Sequence, residues 1–179
     1  MILLHKKRSL QKKKSDPMSE SRLVSINISS GGIPKVPVAS VFVSFAGLAG
    51  DAHNHEKHRT PLQAVCLQDV EKLRDLAAEG FSLASGTTGE NFTVENLFVN
   101  QLPIGSVLEF EQGLVLEITK IRKPCYVLDS IDSKLQESIV GRCGMYARVL
   151  KEGFVSVGEI LRVNSTLPKL DFIFIPAMS

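Results

Sequence analysis

Cys125 sits in the run at 118–129, ITKIRKPCYVLD, directly after Arg122, Lys123 and Pro124. Positive charge beside a thiol favours the thiolate, which is both the nucleophile and the soft-metal ligand. Pro124 can extend neither a ladder nor a helix, so it ends the strand-like run at 114–121. That places the thiol at a sheet edge or rim rather than in mid-core. A lone cysteine is also commonly just a small buried apolar residue. On these residues alone both readings stand.

A second concentration of chemistry lies at 47–59, GLAGDAHNHEKHR, which holds His53, His55 and His58, three of the chain's four histidines. The run is similar to the His-x-His-x-Asp-His metal motif of metallo-β-lactamase-like hydrolases, and it opens a zinc-hydrolase reading. Lys57 stands at the Asp position of that motif. A cation there removes a ligand and repels a second metal. A solvated polar loop is the plainer reading.

Two polar loops and several cations supply anion-binding groups. Ser29-Ser-Gly-Gly32 is a turn whose exposed amides suit an oxyanion. Lys35 follows between two prolines. The loop at 85–91, SGTTGEN, offers Thr87, Thr88 and Asn91 with two glycines that permit close backbone approach. It is not a P-loop, because no Gly-Lys-Ser/Thr follows and no helical pattern begins there. Arg142 and Arg148 are further candidate anion ligands.

The elements that must position these groups are mostly short strands. Residues 22–28 alternate and read as a strand with one buried face. The run at 41–45 places Val41, Val43 and Phe45 on one face. Residues 61–67 read as a buried strand with Cys66 in the core. Val70, Leu73, Leu76 and Ala77 recur at helical spacing, which predicts a helix at about 68–79, begun by Asp69 and stopped by Gly80. Residues 92–99 read as a strand with an irregular end. A hairpin is predicted from 107–110 and 114–121 about Glu111-Gln-Gly113. A short helix is expected from Asp132 to about Val140, then closing strands at 146–150, 154–157 and 159–163. Many short strands with few helices predict a mainly β, barrel-like domain.

Composition narrows the classes. The chain has 179 residues, long enough for one domain with a sizeable core. Residues 1–17 hold six of the 21 Lys+Arg and one of the 19 Asp+Glu, so the remainder carries 15 against 18. A nucleic-acid footprint is not indicated. Three cysteines, an odd number, do not form a disulfide framework. Reduced thiols and a cytoplasmic setting are expected. No stretch approaches the roughly 18 apolar residues of a membrane helix. Residues 1–17 are expected to be a disordered basic extension or tag, 18–163 the folded domain, and 164–179 a tail with the apolar patch Phe172-Ile-Phe-Ile175.

The order of several motifs resembles the MOSC family, named for the C-terminal domain of molybdenum cofactor sulfurase. They are Gly47-Leu-Ala-Gly50-Asp51-Ala-His53, Ala64-Val-Cys-Leu67, Gly86-Thr-Thr-Gly89-Glu90-Asn91-Phe92, Pro103-Ile-Gly105-Ser, Arg122-Lys-Pro-Cys125, Gly144-Met-Tyr-Ala-Arg148-Val and Gly153-Phe-Val-Ser-Val-Gly158-Glu. The likeness spans about 23–163 and is to short bacterial stand-alone members. It implies a β-barrel of the MOSC, pyruvate-kinase-barrel-like type. It also implies the molybdenum cofactor, a phosphorylated pterin dithiolene (molybdopterin). Cys125 would be the metal ligand and catalytic residue. Lys35, Asp51, His53, Thr88, Asn91, Arg122, Lys123 and Arg148 would be cofactor-binding. Glu90 and Asn91 would also hold the loop in shape. Some family members resemble reductases of amidoximes and hydroxylaminopurines. Others are regarded as carriers or sulfurating modules, in which Cys125 would hold a persulfide. With no cluster or flavin motif of its own, a reductase of this kind needs an external electron-transfer protein. A carrier needs a cofactor-donating enzyme. A small-molecule substrate and a monomeric or homodimeric state complete the expectations.

Overall fold

A computed structural model describes residues 20–52 and 60–164. The predicted basic extension and the apolar tail beyond Asn164 lie outside the described residues, as do His53, His55 and His58. In chain order the strands are β1 (Arg22–Ile28), β2 (Val36–Val38), β3 (Ser40–Ser44), β4 (Gly47–Leu48), β5 (Val65–Asp69), β6 (Phe92–Glu95), β7 (Val107–Phe110), β8 (Val115–Ile121), β9 (Met145–Lys151), β10 (Gly153–Ser156) and β11 (Leu161–Asn164). The helices are α1 (Val70–Ala78), which follows β5, and the short α2 (Leu135–Ser138) between β8 and β9.

Eight strands form one sheet in the order β11-β7-β8-β9-β5-β6-β1-β2, and β10-β3-β4 form a smaller one. The ladder is not continuous around a barrel. Its two sides nevertheless meet: Arg22 bridges Ile160, Leu23 N donates to Glu159 O at 2.9 Å, and Gly158 N donates to Leu23 O at 2.7 Å. The mainly β, barrel-like expectation is met. Alternation explains the core, since inward residues such as Leu23, Val43, Leu116, Ile118, Ala147 and Val155 are all fully buried. A second apolar cluster, Leu76, Leu128, Leu135, Ile139 and Cys143, fastens α1 and α2 beside the main core.

Several expectations shift on contact with the structure. Residues 61–63 form a 3-10 turn, because Pro61 follows Thr60 and the Thr60 hydroxyl accepts from Leu62 N. Gln68 and Asp69 belong to β5, so the helix begins two residues later than its pattern suggested. Phe45 lies past the end of β3 and is 55% exposed, because the chain is already turning there. The strand expected through Val99 stops at Glu95, since Asn96 and Phe98 take left-handed conformations (φ 59° and 53°) that a ladder cannot use. The helix expected at 132–140 shrinks to α2, preceded by a 3-10 turn at Tyr126–Ser130. Among the described residues no helix is long and apolar enough to cross a membrane.

Candidate functional site

The cleft at the rim of the large sheet is assembled from separated stretches of chain. Gly32, Ile33 and Lys35 come from the connection between β1 and β2. Cys66 comes from β5, Thr88, Gly89 and Asn91 from the loop before β6, and Tyr146 from β9. Arg122, Lys123, Cys125, Val127 and Leu128 come from the chain leaving β8. The cleft volume is about 210 Å³.

Cys125 is exposed, whereas Cys66 and Cys143 are buried. Pro124 has the effect its chemistry dictates: β8 ends at Ile121, and Cys125 is extended (φ −134°, ψ 163°) at the start of the 3-10 turn. Burial pushes the Cys66 thiol up to about 11, against the opposing pull of Arg122. Burial also raises Cys143. Both therefore stay neutral thiols near neutral pH. Cys125 is the thiol of the three that opens to solvent.

Arg122 is a fixed charge at the base of the cleft. Its Nη2 donates to Thr88 O, its Nη1 reaches Thr88 Oγ1 at 3.4 Å and Cys143 O at 3.5 Å, and its backbone N–H donates to Gly144 O at 3.1 Å. Burial opposes the charge. The acidic groups facing it, Cys66, Cys143, Tyr146 and Glu90, outweigh that and hold its protonation above the ordinary arginine value.

Lys35 is aimed by Asp51. The Asp51 carboxylate is 1% exposed; its Oδ2 accepts from Lys35 Nζ at 2.5 Å and from Asn91 Nδ2 at 2.8 Å, and its Oδ1 accepts from Ser29 N at 2.9 Å. All its directions into the protein are taken, so Asp51 is a support and not a cleft wall. Asn91 in turn clamps β5: its Oδ1 accepts from Cys66 N at 3.1 Å, and its own N–H donates to Cys66 O at 2.9 Å. Glu90, fully buried, accepts from Gly86 N (2.6 Å), Thr88 Oγ1 (2.8 Å) and Thr93 Oγ1 (3.0 Å) and shapes the glycine-rich loop. Gly86 is needed there: φ is +82°, and a Cβ would lie 2.5 Å from Lys35 O.

The structure thus brings Cys125, Lys35, Thr88, Asn91, Arg122 and Lys123 to one cleft. It does not bring Arg148, which lies on β9 and pairs outside the cleft with Glu117 at 2.7 and 2.9 Å. Arg148 shares the Tyr146 face of β9 but lies two residues further along the strand, where its cross-strand partner on β8 is Glu117. Arg142 is likewise occupied, by Glu79 and Ser138 O. His53 lies outside the described residues. Sequence reasoning missed Tyr146, Gln63, Ile33, Val127 and Leu128 as cleft residues, and it read Cys66 as core alone. For Tyr146 the signal was cross-strand register, which a single strand does not reveal.

Comparison with known proteins agrees with the fold. The MOSC domain family model matches residues 54–162. A protein named reductase from Gibberella moniliformis (strain M3125 / FGSC 7600) is 30% identical over 129 residues, covering 68% of this chain and 23% of that protein. The uncharacterized protein YflK of Bacillus subtilis (strain 168) is 31% identical over 144 residues, covering 75% of this chain and 63% of that protein. This chain thus spans less than two thirds of either relative. Among solved structures, YiiM from Geobacillus stearothermophilus has a TM-score of 0.66 at 25% identity, covering 80% of this chain and 75% of that one. The YuaD protein of Bacillus subtilis has a TM-score of 0.69 at 17% identity, covering 80% and 95%, and shows the shared fold.

Proposed function

Because this chain belongs to the MOSC domain family, we propose that it binds the molybdenum cofactor in the Cys125 cleft and reduces N-hydroxylated substrates there with electrons from a partner protein. The observation that carries the reading is the convergence on one cleft of an exposed thiol with three cations, Lys35, Arg122 and Lys123.

The residues fit the group chemically. A soft thiolate suits molybdenum, and a cationic wall suits a phosphate. Ile33, Val127, Leu128 and the Tyr146 ring offer apolar surface to a flat heterocycle. Ligand sites usually enclose roughly 300–1,000 Å³, so a cleft of about 210 Å³ holds part of so large a group. Cys125 would ligate the metal, and Lys35, Arg122 and Lys123 would hold the phosphate. When bound, the group would supply the two-electron redox centre. Lys35, fixed by Asp51, and Arg122, fixed by Thr88, cost little further ordering when an anion arrives. The exposure of Cys125 leaves room for substrate at the same rim. The reductase name of one relative supports turnover.

That exposure also favours a second reading, a cofactor carrier or sulfurating module in which Cys125 holds a persulfide and a cofactor-donating enzyme is the partner. Metal and pterin analysis, on protein made in a host that synthesises the cofactor, tests the proposal. Near-equimolar molybdenum and pterin are expected, lost in Cys125→Ser, with amidoxime or hydroxylaminopurine reduced when an electron donor is supplied. Cofactor retained without turnover would select the carrier reading. A Cys125→Ser variant that keeps both metal and turnover would refute the site. Stoichiometric zinc without molybdenum would instead support the histidine-loop hydrolase.

A further inference from the structure

We infer that the Tyr146 phenol is the proton donor of the cleft and hydrogen-bonds the departing oxygen of the substrate. The inference rests on the reductase reading above. Cys66 on β5 and Tyr146 on β9 are directly opposed in an antiparallel pair, so their side chains share a face. Both line the cleft.

Arg122 closes off one direction for the phenol proton. Its guanidinium faces the Tyr146 phenol, and a guanidinium has no acceptor to offer. The phenol therefore cannot donate to Arg122 and keeps its O–H for another partner. Among the described residues no group takes that proton.

The other candidates are worse placed. Arg122 does not release a proton in any working range. Lys35 is committed to Asp51 at 2.5 Å. Lys123 is assigned to the cofactor phosphate. Cys66 lines the cleft but is only 5% exposed, with its thiol pushed up by burial. Cys125 is the group assigned to the metal.

Chemistry sets the demand. Cleaving an N–OH bond to an amine and water consumes two electrons and two protons. The electrons come from the external redox protein. One proton goes to the departing oxygen and the other to nitrogen, and we assign the first to Tyr146, which is reprotonated from solvent. Burial pushes the Tyr146 phenol up to about 12, against the pull of Arg122. It is therefore protonated throughout the physiological range. It is still a stronger acid than water, whose pKa is about 15.7, so transfer to a hydroxide-like leaving oxygen runs downhill.

The test compares wild type with Tyr146→Phe, both loaded and matched for molybdenum and pterin content. Equilibrium affinities for 6-hydroxylaminopurine and for adenine give a selectivity ratio that needs no turnover. Loss of the phenol hydroxyl should lower that ratio roughly fivefold. With donor supplied, kcat should fall roughly 100-fold while KM rises by no more than about fivefold, and the solvent deuterium isotope effect should change. A kcat within about twofold of wild type overturns the donor role, whatever the ratio does. If loaded wild type never reduces the base, the function proposed above falls on its own. The ratio then decides alone: unchanged in Tyr146→Phe, it refutes the contact with the substrate oxygen.

Discussion

Replacing Asp69 by Asn should relieve a cost that the wild type carries at neutral and alkaline pH. Asp69 ends β5 and is 1% exposed. Its Oδ1 accepts from Val99 N at 2.9 Å, while Oδ2 has no partner. Burial, chiefly, and the neighbouring Glu71 push its carboxyl up to about 6 from an ordinary 3.8, although Val99, Asn100 and Lys72 oppose the shift. The folded state thus holds the proton more tightly than the unfolded state. Stability is full below about pH 4 and falls as pH rises through about 6. The gap of roughly two units corresponds to about 3 kcal/mol lost above pH 6. Asn keeps an oxygen for Val99 but brings a buried amide N–H₂ that itself costs about 1–3 kcal/mol if unpaired. That cost is the same at every pH, so the informative quantity is how the stability difference between variant and wild type changes. Urea unfolding at pH 4, 6 and 8 should show Asp69→Asn gaining about 2–3 kcal/mol relative to wild type between pH 4 and pH 8. Parallel pH profiles for the two proteins would refute the assignment of a raised carboxyl to this position.

Gly144→Ala should cost about 3 kcal/mol or more in urea unfolding, because φ is +85° and a Cβ would lie 2.1 Å from Leu67 O. Asp51→Asn should cost about 2 kcal/mol and release Lys35, with the loss shrinking once Lys35 is also made Met, a pairing that a double-mutant cycle reads. Arg148→Gln should change stability by less than about 1 kcal/mol and leave molybdenum content at the wild-type level, since its exposed pair with Glu117 lies outside the cleft.

Local chemistry was the readable part of the sequence. Pro124 announced the end of β8 and the rim position of Cys125. The alternation of 22–28 and the Glu111-Gln-Gly113 turn announced β1 and the β7–β8 hairpin. What escaped depended on distant partners. Asp51 is a support for Lys35 only because residues 29, 35 and 91 meet it in space. Asp69 looked like a helix cap, yet its side chain makes no cap hydrogen bond and reaches across to Val99. Arg148 carried the right charge, but the register of β8 and β9 sets it opposite Glu117. Tyr146 became a cleft residue through its pairing with Cys66. Strands as short as β2 and β4 exist only through their neighbours and leave almost no period to read.

The bridge between Ser21–Leu23 and Gly158–Leu161 joins positions 136 residues apart, and it dictates an order of events during synthesis. The chain leaves the ribosome from the N-terminal side at about 5–20 residues per second. β1 emerges early and its Ile26–Ile28 end pairs with the nearby β2, but its other ladder partner β6 begins at Phe92 and its closing partner comes only near Gly158. Until then the set of native partners around Leu23 is incomplete, leaving the kind of edge that nascent-chain chaperones recognise and that aggregates when left alone. A chain arrested on the ribosome before residue 158 should therefore bind such a chaperone through β1, and release should track the synthesis of the closing segment.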